Sequence, residues 1–173
     1  MTGGSGARTD GFEGFDAVVG NPPFGSPLRA STRRAGRSPG AYTDTAGLFL
    51  LRSLDVLGPG GRVGLIQPQS VLASRDAEGV RAEVGERAAL RALWVAEQKV
   101  FSASTHVVAV VAEKGGRRRP VDLYGGPAVD ARGRVTSASW GHLGARAKGL
   151  PEVELGEGPT VATMATATAG FRH

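Results

Sequence analysis

Asn21-Pro22-Pro23-Phe24 is the stretch of the chain whose residue types best suit chemistry. Pro22 pushes Asn21 into an extended conformation, and neither proline has an N–H to offer. The turn therefore presents two acceptors, the Asn21 side-chain oxygen and the Pro22 carbonyl, with few competing donors. Phe24 sets a flat apolar face beside them, and Gly20 and Gly25 allow close backbone approach on either side. Two acceptors and a stacking face suit a planar ring that carries an exocyclic amino group. Such an amine is a poor nucleophile because its lone pair is delocalised into the ring. Hydrogen bonds from both of its N–H groups to fixed acceptors favour a pyramidal nitrogen, whose lone pair is free to attack an electrophilic methyl. No strong general base is required.

The elements around this turn read as alternating strands and helices. Phe15 to Val19 is a first strand, and its uninterrupted Ala17-Val18-Val19 predicts a parallel strand covered on both faces. The turn would then stand at the carboxyl end of a parallel strand, where open α/β sheets bind ligands. Gly25 to Tyr42 is a Ser-, Pro-, Gly- and Arg-rich loop. Thr43 or Asp44 can cap a helix that runs to about Leu57, with Leu48, Phe49, Leu51, Leu54 and Val56 at helical spacing. Gly58-Pro59-Gly60-Gly61 ends it, and Arg62 to Ile66 is a second buried strand closed by Gln67-Pro68. Ser74 and Asp76 open another helix with Val80, Val84 and Ala88 inward. Leu90 to Val95 is a third strand, Gln98 to Ser104 a loop around Val100-Phe101, and Val107 to Val111 a fourth strand. Two strand–helix–strand units predict right-handed crossovers and a parallel sheet. The link to the fourth strand is too short for a helical crossover, which predicts an antiparallel neighbour. Val121 to Tyr124 suits one more short strand, and no regular structure is predicted beyond it.

Composition narrows the chemistry further. At 173 residues the chain is one domain by length. It has no Cys, which excludes disulfides, thiolate metal sites and a cysteine nucleophile, and His106, His142 and His173 are scattered too widely for a zinc cluster. No apolar run approaches the roughly 20 residues of a membrane span, and the start of the chain lacks the apolar core of a signal peptide; a cytoplasmic protein is expected. The net charge is +5, carried mostly by Arg, with clusters at Arg29, Arg33, Arg34 and Arg37 and at Arg117-Arg118-Arg119. That balance is compatible with a polyanionic partner.

Asn21-Pro22-Pro23-Phe24 resembles the catalytic motif of S-adenosylmethionine-dependent amino-methyltransferases, specifically the Taq-type N6-adenine DNA methyltransferases. The Phe49-Leu50-Leu51 helix, the Gly58 to Val63 turn and strand, Gln67-Pro68, Val100-Phe101 and the final strand through Lys114 look like the motifs that follow it in that family. The resemblance covers about Phe15 to Tyr124 in unbroken order. It implies that Asn21 and Pro22 bind the target amino group, with Pro23 shaping the turn and Phe24 stacking on an adenine flipped out of double-stranded DNA. Phe101 would pack on the other side of that base. Phe49, with Asn21, would line the S-adenosyl-L-methionine site, and Arg29, Arg33, Arg34 and Arg37 would contact DNA.

The family's cofactor half, with its Gly-rich turn and acidic strand ends, precedes the catalytic motif, and Met1 to Gly14 reads here as a flexible tail. The expected fold is therefore α/β, the C-terminal half of a Rossmann-like methyltransferase sheet with parallel strands plus one antiparallel strand and an irregular C-terminal tail. In domain terms, residues 1–14 are tail, 15–124 a partial catalytic domain, and 125–173 an irregular segment opening a truncated target-recognition region. The first strand would lie at a bare sheet edge. The expectation is a DNA adenine methyltransferase fragment, inactive alone, that needs a complementing methyltransferase half or specificity subunit. Amino-methyltransferases acting on RNA or on protein glutamine share the same turn chemistry, and a non-catalytic DNA-binding remnant is the alternative outside enzymes.

Overall fold

The computed structural model describes residues 13–24, 45–98, 105–136, 139–151 and 164. Its centre is a six-stranded sheet of order β1-β2-β4-β3-β5-β6. In chain order the elements are β1 (Phe15–Gly20), α1 (Thr45–Val56), β2 (Leu57–Pro68), two short 3-10 turns, α2 (Glu78–Arg87), β3 (Ala88–Val95), β4 (Val107–Lys114), β5 (Val121–Gly125), β6 (Asp130–Val135) and α3 (Trp140–Ala147). β1 pairs parallel with β2, and β3 pairs parallel with β5. β4 is antiparallel to both β2 and β3, and β6 is antiparallel to β5. The expected antiparallel fourth strand is present, and it fills a slot between the second and third. The α2 crossover carries β3 one strand beyond β2, and the short link after β3 turns the chain back into the gap.

The register shows which side of the sheet holds the core. Val18, Val63, Ala112 and their neighbours Leu65, Val110, Leu93, Val108, Val95 and Leu123 share one face through the strand pairings. That face packs with Leu50 and Leu54 of α1, Val80 and Val84 of α2, and Trp140 and Leu143 of α3. All three helices therefore bury their apolar stripes on the same side. The physical basis in α1 is the run Ala46, Leu50, Leu54 at i, i+4, i+8, all fully buried, with Leu51 beside them. Ser53 is tolerated inside that helix because its hydroxyl donates to the Phe49 carbonyl at 2.8 Å. Fully burying a Leu or Val contributes about 1.5–3 kcal/mol, so this single face supplies most of the drive to fold.

Three expectations need correction. β1 is not covered on both faces: Val18 points into the core, while Val19 is 84% exposed and Phe15 52% exposed. Among the described residues β1 pairs only with β2, at the sheet's edge, and the helices cover only the other face. Gly58-Pro59-Gly60-Gly61 does not form a separate helix stop, because β2 begins directly at Leu57. The extra residues are absorbed by a register shift between Phe15↔Leu57 and Ala17↔Arg62. Residues 130–147, expected to be irregular, carry β6 and α3. β6 has hardly an apolar residue and is held by backbone pairing and by Arg134–Asp122 and Arg132–Glu97 ion pairs. α3 buries Trp140, Leu143, Gly144 and Ala147 at i, i+3, i+4, i+7 and is capped by Ser139, whose hydroxyl accepts from the His142 N–H.

The start of β1 is seated by close backbone contact. Gly14 has φ +112°, and a Cβ there would stand 2.4 Å from the Gly58 nitrogen. A Cβ on Gly61 would stand 2.7 Å from the Phe15 carbonyl oxygen. Only glycine lets the two segments approach this closely. Lys114 Nζ closes the same end of the sheet by donating to the Leu57 carbonyl.

Candidate active site

β1, β2, β3 and β5 all point the same way, so their carboxyl ends form one rim. Asn21 to Phe24 leave β1 at that rim. Asn21 and Pro23 are exposed, Pro22 is buried and Phe24 is half-buried. The buried Pro22, with fixed φ, anchors the turn, and Asn21 before it is exposed. Neighbouring β2 passes the level of Gly20 at Leu65 and ends in Gln67 and Pro68, both buried.

The rest of the rim is tied down by backbone and side-chain hydrogen bonds. Gln69 N–H donates to the His106 carbonyl at 2.8 Å, and Ala96 N–H donates to the Val107 carbonyl at 3.1 Å. The Trp94 indole N–H donates to the Gly126 carbonyl at 2.8 Å, which fastens the tip of the β5–β6 hairpin to the end of β3. Gln67 is fully buried, and its Nε2 donates to the Ala46 carbonyl in the first turn of α1 at 3.1 Å. The first turn of α1 therefore sits against the same rim.

Phe49 lies one turn further along α1. It is 45% exposed, on the helix face it shares with Arg52 and Val56 and away from Leu50 and Leu54. Its ring therefore lies outside the buried core. Phe101, Arg29, Arg33, Arg34 and Arg37 lie outside the described residues. The described residues nearest Phe101, Gln98 and Thr105, follow β3 and precede β4, and so flank the rim.

Acid–base groups with shifted acidity sit at the opposite end of the sheet. Glu113 is held down to about 2 by the Arg91 guanidinium, with Arg62 adding to the effect. The contacts are Arg91 Nε to Glu113 Oε2 at 3.0 Å and Arg62 Nη2 to the same oxygen at 3.3 Å. Arg87 and then Arg52 lower the Asp55 carboxyl, and Arg87 is raised in return by Asp55. Among the described residues no group of three or more His, Asp or Glu could hold a metal ion. A shallow depression of about 330 Å³ lies on β5 and β6, around Tyr124, Asp122 and Arg134. Three strands separate β5 from β1, so this depression is distinct from the turn. Among the described residues the rim thus carries Asn21, the aromatic rings of Phe24 and Phe49, and the exposed His106.

Gln67 and Trp94 are rim residues whose roles the sequence did not disclose. The signal available for Gln67 was an amide at the last inward-facing position of a buried strand, where a polar side chain needs a partner.

The family model of the Eco57I restriction-modification methylase matches residues 6–101, more than half of the chain and including the Asn21 turn. The chain belongs to that family. A curated relative, the "Defense against restriction protein B" of Escherichia phage P1, is 36% identical over 76 residues, which is 44% of this chain and 3% of the phage protein. Among solved structures, a modification subunit assigned to a type I restriction enzyme of Vibrio vulnificus YJ016 superposes with a TM-score of 0.54 at 21% identity, over 65% of this chain and 25% of its own. A Listeria monocytogenes protein classed with the class I S-adenosylmethionine-dependent methyltransferases gives a TM-score of 0.54 at 19% identity, over 68% of this chain and 40% of its own. The Eco57I-family chain thus has the mixed α/β sheet of those methyltransferases, and it spans less than half the length of each of these three proteins.

Proposed function

We propose that this chain forms the target-base side of a DNA adenine N6-methyltransferase that takes its methyl group from S-adenosylmethionine. The observation that carries this reading is the Asn21-Pro22-Pro23-Phe24 turn at the carboxyl end of a parallel strand, with Pro22 buried and Asn21 open, in a restriction-modification methylase family. The Taq-type resemblance of that turn supports adenine N6 as the acceptor. Phe24, half-buried at the end of the turn, supplies a face for an extruded base.

The residues present fit one side of the cofactor. Phe49 offers an exposed ring for an adenine, and Asn21 a polar contact, both near the rim. When bound, S-adenosylmethionine supplies an electrophilic methyl group on sulfonium. The chain's own part is to accept both N–H groups of the target amine on the Asn21 oxygen and the Pro22 carbonyl. These acceptors localise the nitrogen lone pair, and they bind more tightly as the nitrogen gains positive charge. The exposed position of Asn21 leaves a path to water for the proton that the nitrogen must release.

The edge position of β1 among the described residues and the small share of the relatives' length that the chain spans support a second part of the proposal. Activity requires a complementing methyltransferase half or a specificity subunit. No helix among the described residues is long and apolar enough to cross a membrane.

The test is transfer of a tritiated methyl group to double-stranded DNA, RNA and protein, by the chain alone and with a complementing methyltransferase half. Transfer to DNA adenine in the complemented mixture is expected, with Asn21→Ala reducing it by about 10²-fold or more. Label in RNA or in protein glutamine moves the substrate to that class. Salt-dependent DNA binding with no transfer in any mixture refutes the enzyme reading.

A further inference from the structure

Gln67 is a fully buried carboxamide at the end of β2. It follows Val63 and Leu65 on the helix-covered face, two residues past the pair Gly20↔Leu65. That register puts it at the level where β1 gives way to Asn21 and the buried Pro22. Its Nε2 donates to the Ala46 carbonyl of α1 and to the Ile66 carbonyl, each at 3.1 Å. Its Oε1 is buried and has no hydrogen-bond partner among the described residues.

The energetics of this arrangement are close to neutral. What the two Nε2 hydrogen bonds contribute is offset by the desolvation of the orphaned Oε1 acceptor. An unbranched apolar side chain of the same length would be about as stable at this fully buried position opposite Val108. The amide contributes direction in place of stability. It ties the first turn of α1 to the rim at the level of the catalytic turn. Phe49, the exposed ring offered to the cofactor, stands three residues beyond Ala46 on that helix.

We propose that Gln67 is a positioning residue that fixes the first turn of α1 to the rim and so holds Phe49 in place for S-adenosylmethionine. The proposal rests on the cofactor role of Phe49 given above. It is tested with Gln67→Met, which keeps length and apolar volume and removes the donor. Hydrogen exchange of the amides that close the first turn of α1, from Phe49 to Leu51, is measured without cofactor. Methyl transfer is measured in the complemented mixture. In the variant, exchange at these amides rises about tenfold while the thermal midpoint stays within about 2 °C of the wild type. The KM for S-adenosylmethionine rises at least fivefold, with the KM for DNA unchanged.

Unchanged exchange overturns the tether. Raised exchange with an unchanged KM for S-adenosylmethionine reduces Gln67 to a structural role and overturns the positioning. A wild type that transfers no methyl group refutes the proposed activity instead, and it takes the cofactor half of this inference with it, while exchange still judges the tether. Should Gln67→Met fail to fold, the wild-type Gln67 carboxamide protons decide the tether by NMR. Slow exchange with cross-peaks to α1 supports it, and fast exchange overturns it.

Discussion

Replacing glycine with alanine should destabilise this protein at Gly61 and stabilise it at Gly85, although the chemical change is identical. At Gly61 an added Cβ would stand 2.7 Å from the Phe15 carbonyl oxygen and 3.0 Å from that of Gly58. Both neighbours are backbone atoms that cannot rotate away, so β1 or the start of β2 must shift. Overpacking of this kind costs about 1–3 kcal/mol, which lowers the thermal midpoint of a chain this size by roughly 2–4 °C per kcal/mol. Gly85 lies within α2, and nothing comes within 4 Å of its added Cβ. There alanine recovers the helix propensity that glycine forfeits, about 0.5–1 kcal/mol. Thermal denaturation of the two variants is the first assay, and amide exchange along β1 is the second. Gly61→Ala should release the amides of β1 selectively, because β1 is held mainly by its ladder to β2. Midpoints that move in the same direction, or Gly61→Ala within 0.5 kcal/mol of wild type, would refute the close-approach account of how β1 is seated.

Two further predictions concern side-chain pairs. Glu113 titrates near 2 in the fold against an ordinary 4.5, so its ion pairs favour the folded state fully above about 4.5. That contribution is lost as pH falls from about 4.5 toward 2; urea midpoints of wild type and Glu113→Gln should differ at pH 6 and converge by about pH 2. Trp94→Phe removes the hydrogen bond to the Gly126 carbonyl; it should cost about 0.5–1.5 kcal/mol and raise amide exchange at the tip of the β5–β6 hairpin before that of β4.

Much of the sheet was legible because its strands are continuous apolar runs punctuated by Gly and Pro. Arg62 to Ile66, Leu90 to Val95 and Val107 to Val111 all lie inside observed strands. The antiparallel sense of β4 followed from a link too short to carry a helix. β1 misled because Ala17-Val18-Val19 is apolar at every position, and apolar identity alone does not say how many faces are covered. β6 was invisible for the opposite reason: its Asp130, Arg132 and Arg134 are polar, and backbone pairing to β5 with cross-strand charges makes it a strand. α3 was readable in principle from Ser139, Trp140, Leu143 and Ala147. Its two glycines lower helix propensity, and one of them is closely packed, since a Cβ on Gly144 would stand 2.6 Å from Leu72 Cδ1. The place of the Asn21 turn, at the carboxyl end of a parallel strand, was legible. Gln67 was not, because only the fold shows that its amide reaches α1.

The placement of charge bears on how the chain would meet a polyanion. β4 runs from Val107 at the rim to Lys114 at the far end, eight residues or roughly 25 Å of extended strand. Arg117, Arg118 and Arg119 follow that far end and precede β5, and all three are exposed. They are therefore separated from Asn21 by the height of the sheet, and a nucleic-acid backbone lying on them would not present a base to the turn. Arg62 and Arg91, at the same far end, are already committed to Glu113. At the rim itself Arg132 is paired with Glu97. Among the described residues the arginines thus form no single footprint at the rim. Exposed Arg117 to Arg119 suit long-range attraction of a polyanion or a contact away from the Asn21 turn.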